Sequence, residues 1–124
     1  MKNTVLVGKL TKLKSQLALT RLGFDVYAPI GDGSVCDLVA IDRNRVCNRI
    51  QVKTSRKQGG FETFNAYSMK QTRSKHCGQI KSRYTKDDID YFVTIDSSDR
   101  LYYIPVEKVT SLSPRLHLFE GYII

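Results

Sequence analysis

No acidic residue occurs in the first 24 positions of this 124-residue chain, and none lies between Met69 and Lys86. A surface that serves only solubility mixes its signs. These stretches instead carry Lys2, Lys9, Lys12, Lys14 and Arg21, then Lys70, Arg73, Lys75, Lys81, Arg83 and Lys86. They concentrate the excess behind a formal net charge of +8 and point to a polyanion as partner.

Other absences narrow the function classes. There is no run of 18 apolar residues, so no segment reads as a membrane span, and lysines interrupt the N-terminal apolar stretches where a signal peptide would be continuous. The expected location is the cytoplasm. The three cysteines, Cys36, Cys47 and Cys77, form no CxxC pair and no cluster with histidine at zinc spacing, so they read as structural thiols. His76 and His117 have no triad partner at a recognisable spacing, which argues against a Ser/His or Cys/His hydrolase. Gly31-Asp32-Gly33 is followed by no G-K-[ST] and reads as a turn, not a phosphate loop. No repeat or low-complexity segment is present.

What remains is one α+β domain over residues 1–124. Residues 4–22 read as a helix whose Leu6, Leu10, Leu13, Leu17 and Leu19 fall mostly at three-to-four spacing, stopped by Gly23. Strands are expected at 24–29, 35–42 and 48–55, the last two as a hairpin. Gly59-Gly60 marks a loop, and residues 61–68 read as a further strand. Residues 69–86 lack periodicity, are very basic and read as a loop or a part-ordered segment. Strands at 89–96 and 101–106 form a second hairpin, and the apolar tail docks. The expected fold is a mixed β-sheet with the N-terminal helix packed on one face.

The chemistry gathers in CDLVAIDRNRVCNRIQVKTS, residues 36–55. Asp37 lies inside an apolar run, where an unpaired carboxylate costs roughly several kcal/mol. Gln51 and Lys53 are two apart and share a strand face that the hairpin brings beside Asp37. One reading is a simple Asp37–Lys53 ion pair. The other is a metal site: Asp37, the Gln51 side-chain oxygen and the Val52 carbonyl suit Mg²⁺ or another divalent cation, which takes few protein oxygens and keeps several waters. Such a metal polarises a phosphodiester, and Lys53 orients water or offsets developing charge.

The ordered series Asp37…Gln51-Val52-Lys53, preceded by a helix and by Gly23-Phe24-x-Val26-x-x-Pro29, resembles the PD-(D/E)xK nuclease superfamily. More narrowly it resembles the group I intron-associated homing endonucleases of cyanobacteria and phages, where glutamine takes the second acidic position. Asp88-Ile89-Asp90-Tyr91-Phe92 and Tyr102-Tyr103-Ile104-Pro105 match that lineage's closing hairpin. The resemblance implies a restriction-endonuclease-like core and a Mg²⁺-dependent, sequence-specific endonuclease that acts on double-stranded DNA as a homo-oligomer, dimer or tetramer. Asp37 and Gln51 then face the metal, and Lys53 is the catalytic lysine. The family's first helix usually adds a glutamate; the corresponding position here is Lys12. Three readings stand: a weakened site, a DNA-binding relative that does not cut, and a silencing substitution. A Holliday-junction resolvase-like nuclease shares the same core.

Lys9 and the segment from about 56 to 86 carry the remaining DNA-binding candidates. Arg56 and Lys57 follow the site and suit phosphate, as do Lys70, His76, Lys81 and Arg83. Gln58, Asn65, Gln71, Arg73 and Lys75 suit base edges, and a ribbon at 61–68 would fit the major groove. Phe61, Phe64, Tyr67 and Tyr84 interleave with them, and for the phenylalanines core packing is the preferred reading.

Overall fold

The computed structural model describes residues 3–31, 33–71 and 79–124. One helix, α1 (Thr4–Arg21), precedes strands β1 (Asp25–Tyr27), β2 (Leu38–Ile41), β3 (Cys47–Val52), β4 (Arg56–Gln58), β5 (Phe61–Thr63), β6 (Tyr67–Gln71), β7 (Gln79–Arg83), β8 (Tyr91–Ile95) and β9 (Leu101–Pro105). The central sheet has the order β1-β2-β3-β8-β9. It is antiparallel except where β3 meets β8 in parallel. The fold is therefore the expected mixed sheet with α1 across one face.

Local chemistry explains the ends of α1. The Asn3 side chain accepts from the Val5 and Leu6 amides at 3.1 and 3.2 Å, capping two free donors. Gly23 takes φ +97°, and its amide and that of Phe24 return to Thr20 and Leu19. An added Cβ at Gly23 would also meet Arg43 Nε at 2.8 Å.

The leucine pattern of α1 behaves otherwise than expected. Only Ser15 and Leu19 are buried on this helix. Leu6, Leu10, Leu13 and Leu17 stay 52, 47, 60 and 53% exposed. The sheet side of the helix is Thr11, Ser15, Ala18 and Leu19; small side chains let the helix lie close to the sheet, and Leu19 with Ala18 joins Leu38, Ala40, Ile50, Val93 and Leu101. The long leucines are left facing out.

The opposite face of the sheet packs Phe64, Ile89, Phe92, Tyr102, Ile104 and Leu116. The tail belongs to this layer, as expected: a 3₁₀ segment at Leu116–Tyr122 leads to Ile124, whose amide donates to Leu101 at 3.0 Å.

Between β3 and β8 the structure corrects two expectations. Residues 61–68 are not one strand: β5 pairs with β4 around Gly59-Gly60, and the chain then breaks. Residues 69–86 are not simply a loop. β6 and β7 pair antiparallel from Tyr67↔Arg83 to Gln71↔Gln79. Both ribbons are polar and largely exposed, so neither shows the apolar alternation of a half-buried strand. The other expected strands run shorter than predicted; Asp37 precedes β2, and Lys53 follows β3.

One buried network fixes the turn between β8 and β9. Asp96, 5% exposed, accepts from the Ser98 and Arg100 amides, from Arg100 Nε at 2.8 Å and from the Tyr102 hydroxyl at 3.0 Å. Burial alone would push the Asp96 carboxyl up; its bonds from Arg100, Tyr102 and Ser98 win and hold it below the ordinary carboxylate range. Burial, then the bond to Asp96, pushes the Tyr102 phenol up to about 12. A depressed carboxyl adds stability that is fully present above its unfolded value and is lost as pH falls through the folded one. Asp96→Asn should therefore cost about 2–3 kcal/mol at neutral pH. Denaturant titrations should show that gap closing toward pH 3; a variant within about 0.5 kcal/mol of wild type at pH 7 would contradict this.

Candidate active site

The antiparallel pairing of β2 and β3 brings the start of β2 to the end of β3, and this joins Asp37 to Gln51, Val52 and Lys53. The Asp37 amide donates to the Ile50 carbonyl at 2.8 Å, as the last rung of the ladder. The Val52 amide donates to Asp37 Oδ2 at 3.0 Å. The carboxylate thus stands where a further carbonyl would be, and its other oxygen is left for a cation. Lys53 continues the parallel pairing, its amide donating to Val93 at 2.9 Å.

Three features give the site its chemistry. Gln51 Oε1 is buried and has no hydrogen-bond partner among the described residues. Gln51 borders a cavity of about 230 Å³ lined also by Ser34, Val35, Ser68, Ser82, Arg83, Tyr84 and Asp88. Lys53 is partly buried; loss of water lowers its pKa, and the nearby Asp37 offsets part of that shift. Its Nζ donates to the Tyr67 carbonyl at 3.1 Å and stands 5.0 Å from the centre of the Tyr84 ring. Burial, then the Asp37 charge, raises the Tyr84 phenol.

Lys12 reaches the same place from α1. Its Nζ lies 3.9 Å from Asp37 Oδ1, the oxygen that Val52 leaves free. Two hydrogen bonds hold this part of the helix: Thr54 Oγ1 donates to Thr11 Oγ1 at 3.2 Å, and Ser15 Oγ donates to the Thr11 carbonyl at 2.7 Å.

The PD-(D/E)XK endonuclease family model matches residues 2–122. The chain belongs to the PD-(D/E)XK endonuclease family. Membership places it among the nucleases, with DNA as the class of substrate. The fold agrees with the solved structure of a bacterial homing endonuclease, I-Ssp6803I, at TM-score 0.77 and 22% identity, over 93% of this chain and 78% of that one. No curated protein matches the chain by sequence.

In this PD-(D/E)XK chain the Asp37 carboxylate and the buried Gln51 Oε1 are oxygens, the ligand type a hard divalent cation takes. The unpaired Gln51 oxygen fits such an ion. The acid count is low: among the described residues no group of three or more His, Cys, Asp and Glu side chains gathers to hold a metal.

The structure separates the other candidates. Strand alternation sends Arg56 and Gln58 to one face of β4, and Arg56 bonds Asn65 and Gln58 there. Lys57 goes to the other face, opposite Glu62, beside a cavity that also contains Asp96 and His117. On β7, Lys81 lies over the Tyr67 ring at 4.7 Å, and Arg83 donates to the Thr110 carbonyl. Lys9 is exposed on α1, and Lys70 and Gln71 fall on β6. Arg73, Lys75 and His76 lie outside the described residues. Of the aromatics, Phe64 is fully buried, while Phe61 is 39% exposed and stacks on His117 at 5.2 Å. Cys36 and Cys47 are free thiols, and Cys47 is exposed although it opens a strand.

Sequence reasoning missed the hold that Tyr67 and Tyr84 exert on Lys53. The only sequence signal was two tyrosines at the ends of a basic stretch, which suits base stacking equally well. No described helix is long and apolar enough to cross a membrane.

Proposed function

We propose that this chain is a homing-type DNA endonuclease that hydrolyses phosphodiester bonds at a specific duplex site, with Asp37, Gln51 and Lys53 facing the scissile phosphate. The observation that carries this reading is the unpaired, buried Gln51 oxygen beside a carboxylate with one oxygen left over and a desolvated lysine. Asp37, Gln51 and the Val52 carbonyl would hold Mg²⁺ or another divalent cation, which supplies a Lewis acid and an activated water when bound. Lys53, partly withdrawn from water, places a positive charge where negative charge grows on the phosphate. Tyr67 and Tyr84 hold that ammonium in one position, so little reorganisation is needed during reaction.

Lys12 favours a second reading. Its ammonium stands 3.9 Å from the Asp37 carboxylate, offsets its charge and competes for the place of a cation. The protein then binds DNA and cuts slowly or not at all. The two readings share a fold and a DNA surface; they differ in what Lys12 does to the site. A double-strand break needs two such sites, so cleavage is the work of a homo-oligomer.

The DNA surface is read from β4–β7 and the exposed lysines of α1. Arg56 is the phosphate contact that follows directly from the site, pre-positioned by Asn65 and Gln58. Arg56→Ala should weaken duplex binding and lower the slope of log K against log salt by about one. Lys57→Ala, on the other strand face, should leave the slope nearly unchanged. Fluorescence anisotropy across a salt series reads both; an unaltered slope in Arg56→Ala would remove it from the interface.

A further inference from the structure

Arg49, Gln51 and Lys53 alternate onto one face of β3, in a row that ends at the site. The chain between β7 and β8 crosses this row. Tyr84, the first residue after β7, carries its ring 5.0 Å from Lys53 Nζ. Asp88 shares the cavity of Gln51. Lys86, Asp87 and Asp90 gather on Arg49.

The Arg49 guanidinium serves these three residues at once. Its Nε and one terminal nitrogen donate to the two Asp90 carboxylate oxygens, each at 3.2 Å. The same terminal nitrogen donates to the Lys86 carbonyl at 2.6 Å, and the other to the Asp87 carbonyl at 2.9 Å. The main chain joins in: the Arg49 amide donates to Asp90 Oδ2 and the Asp90 amide to the Arg49 carbonyl, both at 2.8 Å. The bonds from Arg49 outweigh burial and hold the Asp90 carboxyl below the ordinary carboxylate range.

Between Tyr84 and Asp90 the turn closes on itself. Asp88 Oδ2 accepts from the Thr85 amide at 3.0 Å, and the Thr85 carbonyl accepts from the Asp88 and Ile89 amides at 2.9 and 3.1 Å. A turn so closed moves as a unit, so whatever ties it to the sheet also places Tyr84. Buried Ile89 holds its far end. The Lys86–Glu107 pair at 3.8 Å is largely exposed and adds little. Arg49 ties the middle of the turn to the strand that carries Gln51 and leads to Lys53. Four residues of strand, about 13 Å, separate Arg49 from Lys53, so Arg49 acts through the turn.

We infer that Arg49 is a positioning residue of the site: by clamping the Thr85–Asp90 turn to β3 it sets the Tyr84 ring against the Lys53 ammonium. Its effect on cleavage rests on the proposed nuclease reading; its effect on Lys53 does not.

The test compares Arg49→Lys, Tyr84→Leu and their combination, all in the Lys12→Glu background, with circular dichroism melts to check each fold. Arg49→Lys keeps a cation beside Asp90 but replaces the fork by a compact ammonium that cannot reach all of these acceptors. Single-turnover cleavage should fall on the order of 10-fold in each single variant, with duplex affinity within about twofold. The combination should be no slower than the slower single variant, because both changes act on one contact. Without DNA, the Cε resonance of Lys53, followed by nuclear magnetic resonance, should titrate at higher pH in Arg49→Lys than in Lys12→Glu alone, as the ammonium regains water. An unreduced rate or an unmoved Lys53 titration in Arg49→Lys would overturn the inference, as would losses that multiply in the combination. A loss of affinity as large as the loss of rate would make Arg49 a phosphate contact instead. If none of the chains cuts, the nuclease reading fails, and the Lys53 titration by itself upholds or overturns the clamp.

Discussion

Lys53→Ala should lower the cleavage rate on the order of 10³-fold while leaving duplex affinity within a few-fold. The expectation rests on where the lysine stands. It is drawn out of bulk water, its charge supported by Asp37, and its Nζ is held by the Tyr67 carbonyl and over the Tyr84 ring. An ammonium in that setting acts through a field that water does not screen, so its loss falls on the transition state more than on the ground state. Many other cations contact DNA phosphates, so binding survives the loss of one. Lys53→Arg should recover little, since a larger, planar guanidinium with delocalised charge does not reproduce the compact ammonium that donates to the Tyr67 carbonyl. The measurement is single-turnover cleavage in the Lys12→Glu background, with anisotropy for affinity. Equal losses in rate and affinity would make Lys53 a phosphate contact and not a catalytic residue.

Lys12→Glu should raise the affinity of the site for divalent cations and the cleavage rate with it, on the order of 100-fold or more. The substitution changes the charge beside Asp37 by two units. Two unit charges about 4 Å apart interact by about 1 kcal/mol in water and about 4 kcal/mol at a protein surface. Lys12 and Asp37 are 37 and 30% exposed, so a value in the lower half of that range applies, and about twice 1.5 kcal/mol already exceeds the ~2.7 kcal/mol that a 100-fold change requires. Titration with Mn²⁺, followed by electron paramagnetic resonance without DNA, reads the affinity apart from catalysis. Lys12→Gln should fall between wild type and Lys12→Glu. If all three bind Mn²⁺ equally, Lys12 does not guard the site.

The site was more legible in the sequence than the surface around it. A carboxylate in an apolar strand, and an amide and an ammonium two residues apart, have few uses, and a tight hairpin leaves little choice of register. In the structure the Val52 amide donates to the Asp37 carboxylate across this hairpin. The leucines of α1 misled because three-to-four spacing fits a face packed on the sheet and an outward apolar stripe alike. What decides between them is the size of the side chains on the opposite face, where Ser15 and Ala18 allow close packing on the sheet. The ribbons β4–β5 and β6–β7 were hidden for another reason. Their pairing is held by main-chain bonds with little apolar surface on either side, so their residues carry no period. The division of Arg56 from Lys57 could be read only after β4 was known to be a strand.

On the proposed reading, Asp37, Gln51 and Lys53 form a metal-dependent site for DNA cleavage that Lys12 restrains. The most direct measurement is cleavage of long mixed-sequence duplex DNA in Mg²⁺, with wild type, Lys12→Glu and Lys12→Glu/Asp37→Asn run side by side. Discrete cuts are expected from Lys12→Glu, much weaker cuts at the same positions from wild type, and none from the double variant or in EDTA. Equal cutting by all three, or cutting that persists in EDTA, would contradict it.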